Sequence, residues 1–437
     1  MKLKSAMVLV AMGATTCSVP AAAQERLFVD ITEGVTTALT IGVPDTPSGV
    51  LLDLAEGADA GTALAAILRS DLGTSPFFRV VPDQSGTGSD DQALLRQFLA
   101  GGTQALVIGR ASLTSDGALV YDCAFYDVFS GLVEVARQFR VSAKEWRRAA
   151  HKCADLVVGH ATGYPGHFDT RFALVATRTG EPAPAMRVVA VDVDGANPVE
   201  LTDQSELVMM PRFSPDNRSV LFVAYSDDMP ALVLSDLATG RRTQLQFPAG
   251  LPSAARFSPD GQRVVLALSR DGNTDIFEYE LATGRAVQLT NTYGIDTSPA
   301  YSPDGTAIVF ESDRSGQQQL YVMRRDGSDQ RRISFGAPHA SPAWSPDGKL
   351  IAFASSTTSG SQIGVMAADG SRPRMLSEGP HDEGPTWAAS GRAIAYQRSQ
   401  AGGGAPTLHV AELSGRVQFS VPLLFSAAEP DWSEVRP

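Results

Sequence analysis

Short apolar runs bounded by Gly, Pro, Asp and Ser recur through the second half of the chain. They repeat with a period of 43 to 45 residues, and each period contains an aromatic anchor that is usually followed by Ser-Pro-Asp-Gly. Repeats of this length that hold several short strands are typical of β-propeller blades. The aromatic anchors are Phe213, Phe257, Tyr301, Trp344, Trp387 and Trp432.

The repeat at Tyr301 shows the order of its parts most clearly. Ser-Pro-Asp-Gly at 302–305 separates the anchor strand from an apolar run at 307–310, and further runs follow at 320–323 and 332–334. Ser-Pro-Asp-Gly favours a type I turn, because Pro presets φ, Asp hydrogen-bonds locally and Gly accepts a positive φ at the exit. The copy after Trp387 lacks Pro and Asp but keeps its next strand, so we count it as a blade.

The second strand of the repeat occurs six times, and its first copy has no anchor strand before it. The anchor strand at Trp432 has, conversely, no second strand after it. Pairing these two strands would close the ring, so we predict a six-bladed β-propeller closed by the C-terminal strand. The alternative is an open array of hairpins with both ends unpaired. The second strands are predicted at 173–175, 221–223, 264–266, 308–310, 351–353 and 394–396.

The region before the repeats alternates between helical and strand patterns. Apolar residues at helical spacing predict helices near 61–72, 93–99 and 143–159, and apolar runs predict strands near 77–81, 105–108, 119–127 and 132–141. This order indicates an α/β domain of about 140 residues. A Gly-Tyr-Pro-Gly sequence at 163–166 marks the linker to the propeller.

The first residues have the pattern of a cleaved secretory signal. Met1-Lys2-Leu3-Lys4 is basic, the next residues are apolar or small, and Ala21-Ala22-Ala23 offers a cleavage site before Gln24. A lipoprotein at Cys17 is the alternative, but the Leu expected three residues before it is absent. We therefore predict a signal peptide over 1–23, cleaved after Ala23, an N-terminal α/β domain over 24–165 and the propeller over 166–437. The signal predicts that the mature protein is secreted.

The charge and composition of the chain limit the kinds of molecule that it is expected to bind. The 437 residues carry a formal charge of −12, and no basic stripe or aromatic platform flanked by Lys or Arg appears, which argues against nucleic acid. Cys123 and Cys153 remain after removal of the signal, and both occupy apolar positions. We interpret them as two buried thiols, with a disulfide as the alternative in an oxidising compartment.

No catalytic or metal motif stands out in the sequence. The six histidines lack metal-ligand spacing, no Gly-x-Ser-x-Gly elbow or phosphate-binding glycine pattern occurs, and no cofactor is expected. Asp216, Asp260, Asp304 and Asp347 belong to turns of different blades, and turn chemistry explains them without a metal. A peptidase-associated propeller is a weaker hypothesis, because no room for a hydrolase follows Trp432.

Two sequence features together resemble the TolB family, whose members are periplasmic components of the Tol-Pal system. One is Trp-Arg-Arg-Ala-Ala-His-Lys-x-Ala-Asp at 146–155, and the other is Thr-Gly-x-Pro-Gly-x-Phe-Asp-Thr-Arg at 162–171, followed by the repeats. The resemblance covers the whole chain. It implies an α/β domain on a six-bladed propeller, no enzymatic activity, and a role in outer-membrane constriction at division and in envelope integrity.

The resemblance implies a first binding surface at the mature N-terminus, which in this family binds the periplasmic domain of TolA. Leu27, Val29 and Ile31 lie on one face of an extended segment, which suits addition to a sheet edge. The alternative is that this segment is the first strand of the domain, and the two states can exchange. The segment consists of Gln24, Glu25, Arg26, Leu27, Phe28, Val29, Asp30 and Ile31.

The second implied surface is the propeller mouth, where this family binds the lipoprotein Pal. The loops leading into the innermost strands line this opening, and some of their residues depart from the pattern of relatives. A generic secreted scaffold or ligand-binding propeller remains the alternative function. The residues expected at the mouth are Leu251, Ala254, Asp296, Thr297, Ser298, His339, Ser341, Asp382 and Glu383.

Overall fold

The chain folds into an α/β domain followed by an array of antiparallel sheets. The computed structural model describes residues 37–51, 57–82, 90–177, 186–203, 207–226, 229–247, 249–358, 360–402 and 404–437. None of the helices in these ranges has the length and apolar run required to span a bilayer.

The N-terminal domain is a five-stranded sheet with helices on both faces. The strands follow the order β2-β1-β3-β4-β5, with β1 parallel to β2 and β3, and with β3, β4 and β5 antiparallel. A single 3₁₀ turn, Ala143–Glu145, precedes the last helix. The elements are β1 (Leu39–Gly42), α1 (Ala60–Gly73), β2 (Phe78–Val80), α2 (Asp91–Ala100), β3 (Ala105–Leu113), β4 (Leu119–Asp127), β5 (Leu132–Val141) and α3 (Arg147–Thr162).

The predicted helices and strands of this domain are confirmed within a few residues, except that the prediction missed β1. This strand is four residues long and mixes Leu39 and Ile41 with Thr40 and Gly42, so its apolar pattern is too short to stand out. It nevertheless lies between β2 and β3, and all four residues are buried. A strand covered on both faces has no polar face to produce alternation.

The two faces of the sheet have separate cores. Helices α1 and α3 cover one face, where Leu68 and Val157 pack with Phe125. Helix α2 covers the other face through Leu94 and Phe98. Local capping fixes where the first helix begins, since the carboxylate of its N-cap residue Asp59 accepts from the backbone N of Thr62.

Cys123 and Cys153 form a disulfide between β4 and α3, so the interpretation as two free thiols is wrong. Their Cα atoms are 5.9 Å apart, and the residues are 1% and 0% exposed. Each cysteine was correctly assigned to the apolar face of its strand or helix. The periodicity of these elements could not show that the two faces pack in one core. Because α3 packs on the inner face of β4, the two sulfur atoms meet.

The C-terminal part of the chain is built from short antiparallel strands. The strands form four four-stranded sheets and one eight-stranded sheet, in which a single parallel pair, Ser361 with His381, joins two antiparallel groups. The strands are β6 (Arg171–Thr177), β7 (Met186–Asp192), β8 (Val199–Glu200), β9 (Leu207–Phe213), β10 (Ser219–Ser226), β11 (Met229–Asp236), β12 (Arg242–Gln244), β13 (Leu251–Phe257), β14 (Arg263–Arg270), β15 (Asn273–Glu280), β16 (Ala286–Gln288), β17 (Asp296–Tyr301), β18 (Ala307–Ser312), β19 (Gln319–Arg324), β20 (Arg331–Arg332), β21 (His339–Trp344), β22 (Leu350–Thr357), β23 (Gly360–Ala367), β24 (Arg374–Met375), β25 (His381–Trp387), β26 (Ala393–Ser399), β27 (Thr407–Glu412), β28 (Gln418–Ser420) and β29 (Ser426–Trp432).

Each aromatic anchor is the last residue of its strand, and the predicted second strands lie inside β6, β10, β14, β18, β22 and β26. The last strand, β29, pairs antiparallel with β6, from Ser426 opposite Thr177 to Trp432 opposite Phe172. The sheet order is β29-β6-β7-β8, so strands from the two ends of the repeat region share one sheet.

The Ser-Pro-Asp-Gly turns are held by their own side chains. In the copy after Tyr301, the Ser302 hydroxyl donates to Asp304 at 2.5 Å and accepts from the backbone N of Ala307 at 2.9 Å. Hydrogen bonding from Ser302 lowers the pKa of Asp304. Asn217, in the position of the glycine, has φ 58°, so it adopts the left-handed conformation that glycine adopts in the other copies.

Candidate binding surfaces

The innermost strands share one irregularity at the same place. Each of β9, β13, β17, β21, β25 and β29 shifts its register against the following or preceding strand, so each carries a β-bulge. Three residues before every anchor, one residue has a φ between 48° and 62°. Bulges that recur at one rim of a fold commonly aim side chains at a binding site. These left-handed residues are Met210, Ala254, Ser298, Ser341, Gly384 and Glu429.

Side chains from the preceding sheet hold several of these bulges. The backbone N of Met210 donates to Glu429 at 2.5 Å, and that of Glu429 donates to Gln397 at 2.8 Å. The backbone N of Ser341 donates to Glu311 at 3.2 Å. These bonds cross from one sheet to the next, so the bulges link adjacent sheets around the mouth.

Most of the residues predicted at the mouth reach its surface. Leu251 is 41% exposed and Glu383 is exposed. Four others are half-buried on the bulges or directly before them. They are Ala254, Thr297, Ser298 and Ser341.

The structure buries the remaining predicted mouth residues, Asp296, His339 and Asp382. Both aspartates are 0% exposed. Asp296 accepts from Arg314 at 2.7 Å, and Asp382 accepts from the guanidinium of Arg398 at 2.6 and 2.8 Å. These side chains, five residues before the anchors, point into their own sheets and not into solvent, which corrects the expectation of exposed loop positions.

His339 occupies the same strand position as the two aspartates. It is 8% exposed, and its ring lies 4.7 Å from that of Phe353. Burial lowers its pKa, which favours the neutral imidazole. His339 therefore fills its blade as an aromatic side chain.

Large apolar side chains project from the loops that lead into the innermost strands, and sequence reasoning missed them. Tyr293, Leu424 and Phe335 are 107%, 100% and 71% exposed, and Ile295 is 52% exposed. Exposed apolar groups that gather at one end of a fold indicate a contact surface. In the sequence, each of these apolar residues lies inside a turn segment, where polar residues are expected. This mismatch is the signal that could have identified them.

The helix α3, which carries the Trp-Arg-Arg sequence, faces the propeller. The Arg148 guanidinium donates two hydrogen bonds of 3.0 Å to Asp169, and Lys152 lies 3.0 Å from the same carboxylate. Arg436, from the C-terminal segment, contacts Asp169 at 2.7 Å. Burial raises the pKa of Asp169, but these cations outweigh it and hold the pKa below its usual range. Asp169 therefore joins both domains and the C-terminal segment.

A second polar cluster of this interface surrounds His151. Its Nδ1 lies 2.7 Å from Asp71 of α1, and its Nε2 lies 3.6 Å from Asp194 of the propeller. Arg147 also pairs with Asp194. Burial lowers the pKa of His151, but Asp71 and Asp194 outweigh it and raise the pKa to about 9. Through these two contacts the histidine links the two domains.

The N-terminal segment, Gln24 to Ile31, lies outside the described residues, as does the predicted signal peptide. Across the described part of the chain, no three His, Cys, Asp or Glu side chains are close enough to hold a metal ion together. The aspartates of the Ser-Pro-Asp turns accept hydrogen bonds from their own serines instead, at 2.5 to 2.7 Å.

Known protein families match nearly the whole chain. The family described as the TolB beta propeller domain matches residues 158–436, and the family described as the TolB amino-terminal domain matches residues 27–133. The first match alone covers more than half of the chain.

Individual relatives agree with these families. The Tol-Pal system protein TolB of Cereibacter sphaeroides is 41% identical over 228 residues, which are 51% of this chain and 50% of the relative. That of Dinoroseobacter shibae is 40% identical over 230 residues, 51% of each chain. The chain thus spans about half the length of the curated relatives it matches. The crystal structure of TolB from Acinetobacter baumannii superposes with a TM-score of 0.79 at 26% identity, covering 94% of this chain and 100% of that chain.

Proposed function

Because this chain belongs to the TolB family, with its amino-terminal domain and β-propeller, we propose that it is a non-enzymatic component of the Tol-Pal system. In this proposal it is a periplasmic monomer that is secreted with cleavage after Ala23. It binds the lipoprotein Pal through the propeller mouth and the periplasmic domain of TolA through Gln24 to Ile31. Linking these partners, it supports invagination of the outer membrane at division.

We further propose that the sheets are six blades of one ring, with the domain boundary at 165/166, and that β29 closes the ring on β6. Two observations support this arrangement. Every anchor strand carries the same bulge, and the bonds at the bulges run from one sheet to the next. The pairing of β29 with β6 covers the edge that β6 would otherwise leave open, and an open edge favours aggregation.

The observation that carries the Pal proposal is the set of exposed apolar side chains around the mouth. Tyr293 and Phe335 are exposed on loops that lead into two innermost strands, and Thr297 and Ser298 are half-buried near the start of one of these strands. Aromatic side chains ringed by polar groups are the usual anchors of a protein interface. Asp296 and Asp382 support this surface from behind, because their ion pairs fix the start of two innermost strands.

Calorimetry with purified Pal tests the mouth. Phe335→Ser removes an exposed anchor and Thr297→Arg places a bulky charge on the surface, so each should weaken Pal binding roughly ten-fold or more. Val199→Ser is the matched control, because Val199 is 47% exposed on the outer strand β8, away from the mouth. Unchanged affinity in both mouth variants would contradict this assignment.

A pull-down from envelope extract tests the second surface. The mature chain from Gln24 should capture Pal and TolA, whereas a chain that begins at Glu33 should capture Pal alone. Capture of TolA by the shorter chain would contradict the role of the N-terminal segment. Capture of neither protein by either chain would favour a generic secreted propeller.

A further inference from the structure

A cavity of about 470 Å³ occupies the propeller axis at the end of the innermost strands opposite the mouth. The residues directly before the anchors line it, so each innermost strand contributes one side chain at the same level. Two of these side chains are cations and one is a carboxylate. The ring consists of Arg212, Arg256, Ala300, Ala343, Thr386 and Asp431.

The two arginines of this ring are not satisfied by the carboxylate. The closest approach of Asp431 Oδ1 is 3.8 Å to Arg256 Nη1 and 3.9 Å to Arg212 Nε, both longer than a hydrogen bond. The other carboxylate oxygen accepts from the backbone N of Phe213 at 2.8 Å. Asp431 therefore contributes charge to the arginines without occupying their donors.

The donors of the arginines remain available in the cavity. Arg212 Nη1 donates to the carbonyl oxygens of Pro211 at 2.7 Å and Glu429 at 3.4 Å, while its Nε is buried without a hydrogen bond. Arg256 donates no hydrogen bond to any residue in the described ranges. Glu434 also lines the cavity, but it is exposed and lies beyond 4.0 Å of both guanidinium groups. Burial and the charge of Arg212 lower the pKa of Arg256 to about 9, against the opposing effect of Asp431.

From this geometry we propose that the axial cavity binds a small oxyanion between Arg212 and Arg256. Guanidinium groups match the oxygen geometry of phosphate and carboxylate, and neither arginine is hydrogen-bonded to a carboxylate that lines the cavity. The aromatic anchors that wall the cavity lower the local dielectric and strengthen the attraction. This site lies at the other end of the strands from the mouth, so it does not depend on the proposed Pal surface.

Calorimetry with inorganic phosphate, at an ionic strength held constant with sodium chloride, tests the proposal. The wild-type protein should bind in the millimolar range or tighter, and Arg256→Gln should weaken binding roughly ten-fold. Asp431→Asn should strengthen it, because it removes the competing carboxylate and its amide oxygen can still accept from Phe213. Arg324→Gln is the control for adventitious surface binding, since the side chain of Arg324 is 72% exposed.

The opposite signs of the Arg256 and Asp431 variants separate the proposal from a general loss of folding, which would weaken binding in both. Acetate in place of phosphate shows whether a carboxylate suffices, and binding of either anion with these signs supports the site. Absence of wild-type binding, or equal binding by the wild type and Arg256→Gln, would overturn it.

Discussion

At the residue scale, the repeat predicted the turn residues but not the left-handed bulges. Ser-Pro-Asp-Gly predicts a turn because proline restricts φ and glycine accepts a positive φ. The bulge positions hold Met210, Ser298 and Glu429, which ordinarily avoid a positive φ, so their identity carries no such signal. Hydrogen bonds from neighbouring sheets hold these positions in the left-handed conformation, as the bond from the backbone N of Met210 to Glu429 shows.

A glycine at one bulge position permits a direct measurement of the strain. Gly384 has φ 62°, and a Cβ added there would lie 3.9 Å from the nearest atom, the Cδ of Pro430. Because space is available, the added methyl group of Gly384→Ala should cause no clash. Only the strain of the positive φ should lower the unfolding free energy, by roughly 1 kcal/mol. Urea unfolding measures this loss.

Gly73→Ala is the matched control for this substitution. Gly73 ends α1, has no atom within 4 Å of an added Cβ and lies outside the left-handed region, so the same change should stabilise the protein by roughly 0.5 kcal/mol. Equal effects of the two substitutions would show that the bulge conformation is not strained.

At the element scale, the sequence predicts the helices and strands of the α/β domain whose apolar pattern is clear, and it misses β1, whose pattern is not. Helices α1 and α3 and strands β4 and β5 were predicted because their apolar faces persist for nine residues or more. The buried strand β1 lacks such a face. The same limit applies to the mouth, where the alternation of β17 could not show that Asp296 turns inward to Arg314. Burial of a charge depends on a partner that is remote in sequence.

The disulfide joins two of these elements, and its contribution can be predicted from the chain length it encloses. Cys123 and Cys153 are 30 residues apart. Closing a loop of this length in the unfolded chain should stabilise the fold by about 3 to 4 kcal/mol. Cys123→Ala with Cys153→Ala should therefore lower the unfolding temperature of the N-terminal domain in thermal denaturation.

A reducing agent is the control for this prediction. It should lower the unfolding temperature of the wild type and leave that of the double variant unchanged. If reduction lowers both equally, the loss arises elsewhere and the link between β4 and α3 contributes little.

At the scale of the whole molecule, the sequence predicted two domains but not how they are joined. The interface depends on pairs that are far apart in the chain, such as Arg148 with Asp169 and His151 with Asp71 and Asp194. The Trp-Arg-Arg sequence was informative only as a family resemblance. The structure gives it a physical role, because its two arginines, from the α/β domain, pair with Asp194 and Asp169 of the propeller.

This interface should make the stability of the protein depend on pH. His151 has an ordinary pKa of 6.5 that Asp71 and Asp194 raise to about 9 in the folded state, against the opposing effect of burial. A folded-state pKa above the unfolded one means that the charged imidazole stabilises the fold. This contribution is complete below pH 6.5 and is lost as the pH rises through 9. The unfolding free energy should fall over this window by an amount on the order of 1 to 3 kcal/mol.

Urea unfolding at a series of pH values from 6 to 10 tests this mechanism, because it gives the slope of the unfolding free energy against pH. His151→Gln cannot gain the proton, so its unfolding free energy should be lower at pH 6 but change little between pH 6.5 and 9. If His151→Gln retains the full slope, another group binds the proton on folding. Because Asp194 belongs to the propeller and Asp71 to the α/β domain, a flattened slope would instead mean that protonation of one side chain holds the two domains together.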